Sequence, residues 1–123
     1  YLGIREDSRS EIPAEQRNAL GVPSGTTARA CIMQLDHSFP KIDLTEYAKD
    51  SPQAAAFNDD LGIVRICLGT QNVAQDYEHL KSAGVEFLSE PTGGVGGLAD
   101  IAICRDPDGT LIELIEIHLE KWR

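Results

Sequence analysis

The chain has no apolar run approaching the length of a bilayer span, so no membrane-crossing helix is expected. No signal-peptide pattern stands at its start. Basic residues are scarce: 11 Lys and Arg stand against 20 Asp and Glu, a formal net charge of −9. That balance repels phosphate backbones and anionic lipid, so neither nucleic acid nor a membrane surface is expected as a partner. No CxxC pair occurs. Cys31, Cys67 and Cys104 are odd in number, widely spaced and set in apolar segments. They read as buried free thiols in a reducing compartment such as the cytoplasm. A phosphate loop is missing too. Gly93-Gly-Val-Gly-Gly97 does not lead from a strand into a helix, and it reads as a flexible connection or a lid.

What remains is 123 residues with 41% hydrophobic content, enough for one domain or two small modules sharing a core. The most informative stretch is Arg105-Asp-Pro-Asp-Gly109 followed by Thr110-Leu-Ile-Glu-Leu-Ile-Glu-Ile117. Pro107 and Gly109 suit a tight turn, and the branched residues after it suit a strand. Alternation puts Glu113 on the same face as Leu111, Ile115 and Ile117. A carboxylate there needs a cation, a hydrogen-bond partner or a metal ion to compensate its charge.

Upstream, Gly62–Gly69 reads as a strand. Asn72 with Gln75 forms a capping-box-like start to a helix whose apolar stripe is Val73, Tyr77 and Leu80, and Gly84 ends it. Val85–Leu88 reads as a short strand, Pro91–Gly97 as a mobile loop and Leu98–Cys104 as another strand. Residues 62–117 therefore predict the order β-α-β-β-β. In the first half, residues 1–12 are ambiguous, Pro13–Gly21 suggests a short helix, and Ala28–Asp36 and Lys41–Ala48 suggest strands. Residues 49–61 read as a linker, and 118–123 as a polar tail.

The halves echo each other. Ile42-Asp-Leu-Thr-Glu-Tyr47 parallels Ile112-Glu-Leu-Ile-Glu-Ile117 at an offset of 70 residues, and Leu2-Gly3-Ile4 parallels Ala83-Gly84-Val85 at an offset of 81. The first half thus carries eleven extra residues, where the short helix falls. The counterpart of Arg65 projects upstream of Tyr1. Residues 1–48 are therefore expected to lack an opening strand and most of a helix.

With Gly62-Ile-Val-Arg-Ile, Leu80-Lys-Ser-Ala-Gly-Val-Glu-Phe, Asp106-Pro-Asp-Gly and Leu111-Ile-Glu-Leu, the chain resembles the vicinal oxygen chelate superfamily of glyoxalases, bleomycin-resistance proteins and dioxygenases. The resemblance implies an α+β fold of paired βαβββ modules enclosing a cavity for a small molecule. It also implies a divalent metal such as Zn, Ni, Mn or Fe, held from the first and last strands of each module. The last-strand positions fall on Asp43 and Glu113, both carboxylates suited to a hard or borderline cation. Glu113 would also serve as the catalytic base of a lyase, isomerase or dioxygenase. The first-strand position of the second module, usually His, is Arg65, which cannot bind a metal. Arg65 instead suits an anionic ligand group or a salt bridge to Glu113. The alternative is therefore a metal-free binding protein resembling the resistance branch. Thr45 and Tyr47 share a face with Asp43 and are candidate ligand contacts. His37 and His79 read as solvated, and His118 has no metal-site spacing to Glu113. A homodimer is expected, because a sheet lacking its first strand leaves an open edge.

Overall fold

A computed structural model of the chain describes residues 4–17, 19, 22, 24–34, 41–48, 59 and 61–121. The chain divides into two compact units, Leu2–Gln53 and Ala54–Arg123.

The first unit contains β1 (Arg5–Glu11), α1 (Ala14–Arg17), β2 (Ala28–Gln34) and β3 (Ile42–Tyr47). Its three strands form an antiparallel sheet in the order β1-β2-β3. β1 is exposed at every residue, which is why no alternating pattern announces it. Backbone pairing to β2 holds it, along with a hydrogen bond from the Gln34 side chain to Asp7 at 2.7 Å. The predicted helix is a single turn, Ala14–Arg17, and much of its predicted C-terminal half lies outside the described residues. The small core here is Ile12, Val22 and Ala28, with Ala30 packed against them. Ile12 continues the ladder by donating its N–H to the Ala28 carbonyl at 2.9 Å.

The second unit contains β4 (Arg65–Gly69), α2 (Val73–Ser82), β5 (Thr92–Gly93), β6 (Ala99–Arg105) and β7 (Leu111–Ile117). Its sheet order is β4-β7-β6-β5, with β4 parallel to β7 and the other pairs antiparallel. Asn72 starts α2 as expected, its side-chain oxygen accepting the Gln75 N–H at 2.8 Å. Gly84, at φ +91°, turns the chain out of the helix. Val73 and Tyr77 of the predicted stripe are buried, and Leu80 is half-buried. They cover the face of the sheet that carries Ala102, Cys104 and Leu114.

Two expectations need correction. Val85–Leu88 is not a strand: it makes one isolated bridge, Phe87 to Cys104, flanked by backbone hydrogen bonds from Leu88 and to Glu86. Nor is Pro91–Gly97 a free loop. Thr92 and Gly93 pair with Ile101 and Asp100, and the Gly94 N–H donates to the Ala99 carbonyl at 2.7 Å. A side chain at Gly94 would meet that carbonyl at 3.3 Å, tighter than most side-chain contacts, so glycine eases the close approach.

The architecture is α+β. The meander β5-β6-β7 repeats β1-β2-β3 in order and sense, the pair Ile103/Glu113 answering Ile32/Asp43. Among the described residues the first unit has no counterpart of β4 or of the ten-residue α2. No helix among the described residues is long and apolar enough to cross a membrane.

Candidate functional site

The turn Asp106–Gly109 sets the position of Glu113. Asp106 accepts the backbone N–H groups of Asp108 and Thr110 on one carboxylate oxygen, at 3.0 and 2.7 Å. Gly109 adopts φ +91°, and Arg105 Nη1 donates to its carbonyl at 2.9 Å. The chain leaves this turn directly as β7. Glu116 and Leu114 point toward α2: Glu116 accepts the Val73 N–H at 2.9 Å, compensating one free donor at the helix start. Alternation therefore aims Glu113 at the face away from α2.

On that face Glu113 meets Arg65. Parallel pairing places Arg65 opposite Leu111 and Cys67 opposite Glu113, so Arg65 reaches Glu113 diagonally across two strands. Arg65 Nε lies 3.0 Å from Glu113 Oε2, with the Glu113 side chain 13% and the Arg65 side chain 41% exposed. The compensating cation is therefore supplied by the protein itself. Nε makes the closest approach, and neither Arg65 nor Glu113 makes a side-chain hydrogen bond among the described residues.

Cys67 sits beside this pair and is exposed, unlike the buried thiol expected there. Cys104 is buried and Cys31 half-buried, and all three are free. Partial desolvation pushes the Cys67 thiol above its ordinary pKa, the nearby Glu113 charge adds to the rise, and Arg65 opposes it.

The other candidates lie in the first unit. Asp43, Thr45 and Tyr47 share one face of β3, opposite Ile32, Ala30 and Ala28 of β2. Asp43 and Tyr47 are exposed and Thr45 is half-buried. Asp43 has no ion pair or side-chain hydrogen bond among the described residues.

Whether a divalent ion fits can be judged within the second unit. A guanidinium 3.0 Å from Glu113 would repel a cation arriving at the same carboxylate. No group of three His, Cys, Asp or Glu among the described residues could hold a metal ion. On these residues the metal does not fit.

One pairing escaped the sequence. His118 Nε2 lies 3.0 Å from Asp100 Oδ2, with Glu120 4.0 Å from the other ring nitrogen. The signal was Asp100 itself, a lone carboxylate in the apolar run Leu98–Cys104. His79 is exposed on α2, and His37 lies outside the described residues.

Residues 2–114 match the family model of the Glyoxalase/Bleomycin resistance protein/Dioxygenase superfamily. Among solved structures, a glyoxalase family protein from Bacillus cereus aligns at TM-score 0.79 and 18% identity, covering 94% of this chain and 79% of that one. Glyoxalase I from Zea mays aligns at TM-score 0.67 and 21% identity over 94% of this chain, which spans only 38% of the maize chain. A glyoxalase family protein from Enterococcus faecalis aligns at TM-score 0.64 and 16% identity. No curated protein matches the sequence.

Proposed function

The chain belongs to the glyoxalase/bleomycin resistance protein/dioxygenase superfamily, and on that premise we propose that it binds a small anionic molecule at Arg65, without a metal ion at Glu113. One observation carries this reading: the 3.0 Å contact between Arg65 Nε and Glu113 Oε2. It holds the guanidinium beside Glu113, and the Arg65 nitrogens, which make no hydrogen bond among the described residues, are available to donate to a carboxylate or phosphate. It also lowers the entropy lost on binding, because the cation is already held in place. Glu113 keeps its second oxygen as an acceptor for a ligand hydroxyl or N–H, or for a proton if the protein turns its ligand over. Apolar neighbours Ile101, Ile103 and Ile115, which register places on the same face, suit the body of an aromatic or aliphatic anion.

A second reading keeps a metal-dependent lyase, isomerase or dioxygenase, with Asp43 and Glu113 as ligands. The absence of any partner for Asp43 among the described residues supports it, and the Arg65 contact weighs against it. A thermal-shift and calorimetric screen with anionic aromatic compounds separates the two. The expected result is a hit whose affinity falls at least tenfold in Arg65→Ala and is indifferent to added Ni, Zn, Mn or Fe. A hit unaffected by Arg65→Ala, or stoichiometric divalent metal whose addition is required for binding, would overturn the metal-free reading.

We also propose that Thr45 and Tyr47 contact ligand, and that the protein is a homodimer. β7 is paired on both sides, whereas β3 is paired only with β2 among the described residues, and an open edge invites strand addition. A strictly monomeric sedimentation profile at micromolar concentration would exclude the dimer. The three free thiols support a reducing compartment such as the cytoplasm.

A further inference from the structure

In the first unit, a cavity of about 440 Å³ is lined by Arg17 at the end of α1 and by Val22, Ser24, Gly25, Thr26 and Thr27. No residue here was singled out by the sequence, and none belongs to the Arg65 face. We propose that this cavity is a binding site for a phosphate group, with Arg17 and the hydroxyls of Ser24, Thr26 and Thr27 as its donors.

The argument begins with how Arg17 is held. Its Nε donates to the Ile12 carbonyl at 3.1 Å, and its own carbonyl accepts the Val22 N–H at 2.9 Å. Ile12 and Val22 both belong to the buried cluster of this unit, so the guanidinium is tethered to its most rigid part. The terminal nitrogens of Arg17 have no partner among the described residues. They form a planar fork of the kind that receives oxyanions bidentately.

The lining also includes a run of hydroxyl residues, Ser24, Thr26 and Thr27. Thr26 is only 8% exposed, yet its hydroxyl has no protein partner among the described residues. Thr26 lines the cavity and its hydroxyl is not sealed from solvent, so it is open to donate to a ligand there. Gly25, at φ +76°, makes the tight turn between Ser24 and Thr26.

Charge and donor number choose the ligand. Among the described residues the lining holds a cation and no carboxylate, in a chain whose net charge is −9. A fork plus three hydroxyls offers more donors than the two oxygens of a carboxylate use well, and suits the three terminal oxygens of a phosphate. The volume lies within the range of small-molecule pockets and exceeds what the anion alone needs. Val22 and Ala14 give it an apolar side. A phosphate monoester of a small organic molecule fits that combination.

The test is a backbone amide NMR titration of the full chain with inorganic phosphate and with phenyl phosphate, at constant ionic strength. Saturable shifts centred on Arg17 and Ser24–Thr27 are expected, weakened at least tenfold in Arg17→Gln and unchanged in Arg65→Ala. That last variant keeps this site's failure separate from any failure of the Arg65 reading. Tighter binding of phenyl phosphate identifies an organic ester as the ligand; equal binding identifies the free ion. Should Arg17→Gln unfold, Thr26→Val tests the same cavity with little change of shape, and a severalfold loss is expected. Absence of saturable shifts at millimolar concentration, or full affinity retained in a folded variant, overturns the proposal.

Discussion

β7 lies between two neighbouring strands under a helix, and β3 has one neighbour among the described residues. The two strands occupy corresponding places in their units, and their residues fare differently. Leu114 is fully buried, whereas Leu44, its counterpart by the sequence repeat, is 52% exposed. Glu113 has an arginine against it, while Asp43 has no partner among the described residues. A shared sequence pattern thus yields a core strand in one unit and an open one in the other. What decides is the company of the strand: α2 and β4 supply the apolar cover and the cation for which β3 has no counterpart among the described residues.

The largest effect that comparison predicts is in stability. Leu114→Ala removes a fully buried side chain and is expected to cost about 2–5 kcal/mol. Leu44→Ala, on a side chain already half in water, is expected to change stability by no more than about 0.5 kcal/mol. Urea denaturation of both variants measures the difference. Equal losses would break the comparison, because they would mean that β3 is covered in solution.

A smaller effect distinguishes the helices. Asn72→Ala removes the hydrogen bond to the Gln75 N–H and is expected to cost about 1 kcal/mol by the same measurement. Glu15→Ala, in the single turn of α1, is expected to cost only about 0.3 kcal/mol. A loss at Glu15 matching that at Asn72 would show α1 to be more than a local turn.

The second unit was the more legible for the same physical reason. Asn72, Gly84 and Asp106–Gly109 are local signals, and local chemistry realises each of them in the structure. Glu113 announced itself by standing on an apolar face, and Arg65 was a candidate partner because the family resemblance put it at the first-strand position of the same module. The first unit carries weaker signals. β1 is polar throughout and is held by backbone pairing, which leaves no trace in side-chain alternation. Even in the second unit, the two-residue strand Thr92–Gly93 is set by its neighbour β6 and not by its own composition. His118 and Asp100 are brought together by register across 18 residues, which no spacing rule reveals. Arg17 is the extreme case. Its tether is a backbone carbonyl five residues away, so nothing in its charge or spacing distinguishes it from a solvated arginine.

The finest test concerns the cation that separates Glu113 from Asp43. Cys67 lies directly opposite Glu113 and reports on both members of the ion pair. Its pKa is raised by partial desolvation and then by Glu113, while Arg65 pulls it back. Only the thiolate is alkylated, so a raised pKa moves the pH profile of the reaction upward and slows it at any fixed pH below the midpoint. Removing the negative neighbour in Glu113→Gln should lower that pKa and speed iodoacetamide labelling severalfold near pH 8. Removing the positive one in Arg65→Gln should raise it and slow labelling by a similar factor. Cys104, buried beneath α2 and raised chiefly by burial, is the control whose rate should not respond to either change. Opposite shifts at Cys67 with a constant Cys104 would place the two charges against the thiol in solution. Shifts of the same sign in both variants would mean that the substitutions loosen the sheet, and the contrast between a paired Glu113 and an unpaired Asp43 would then fail.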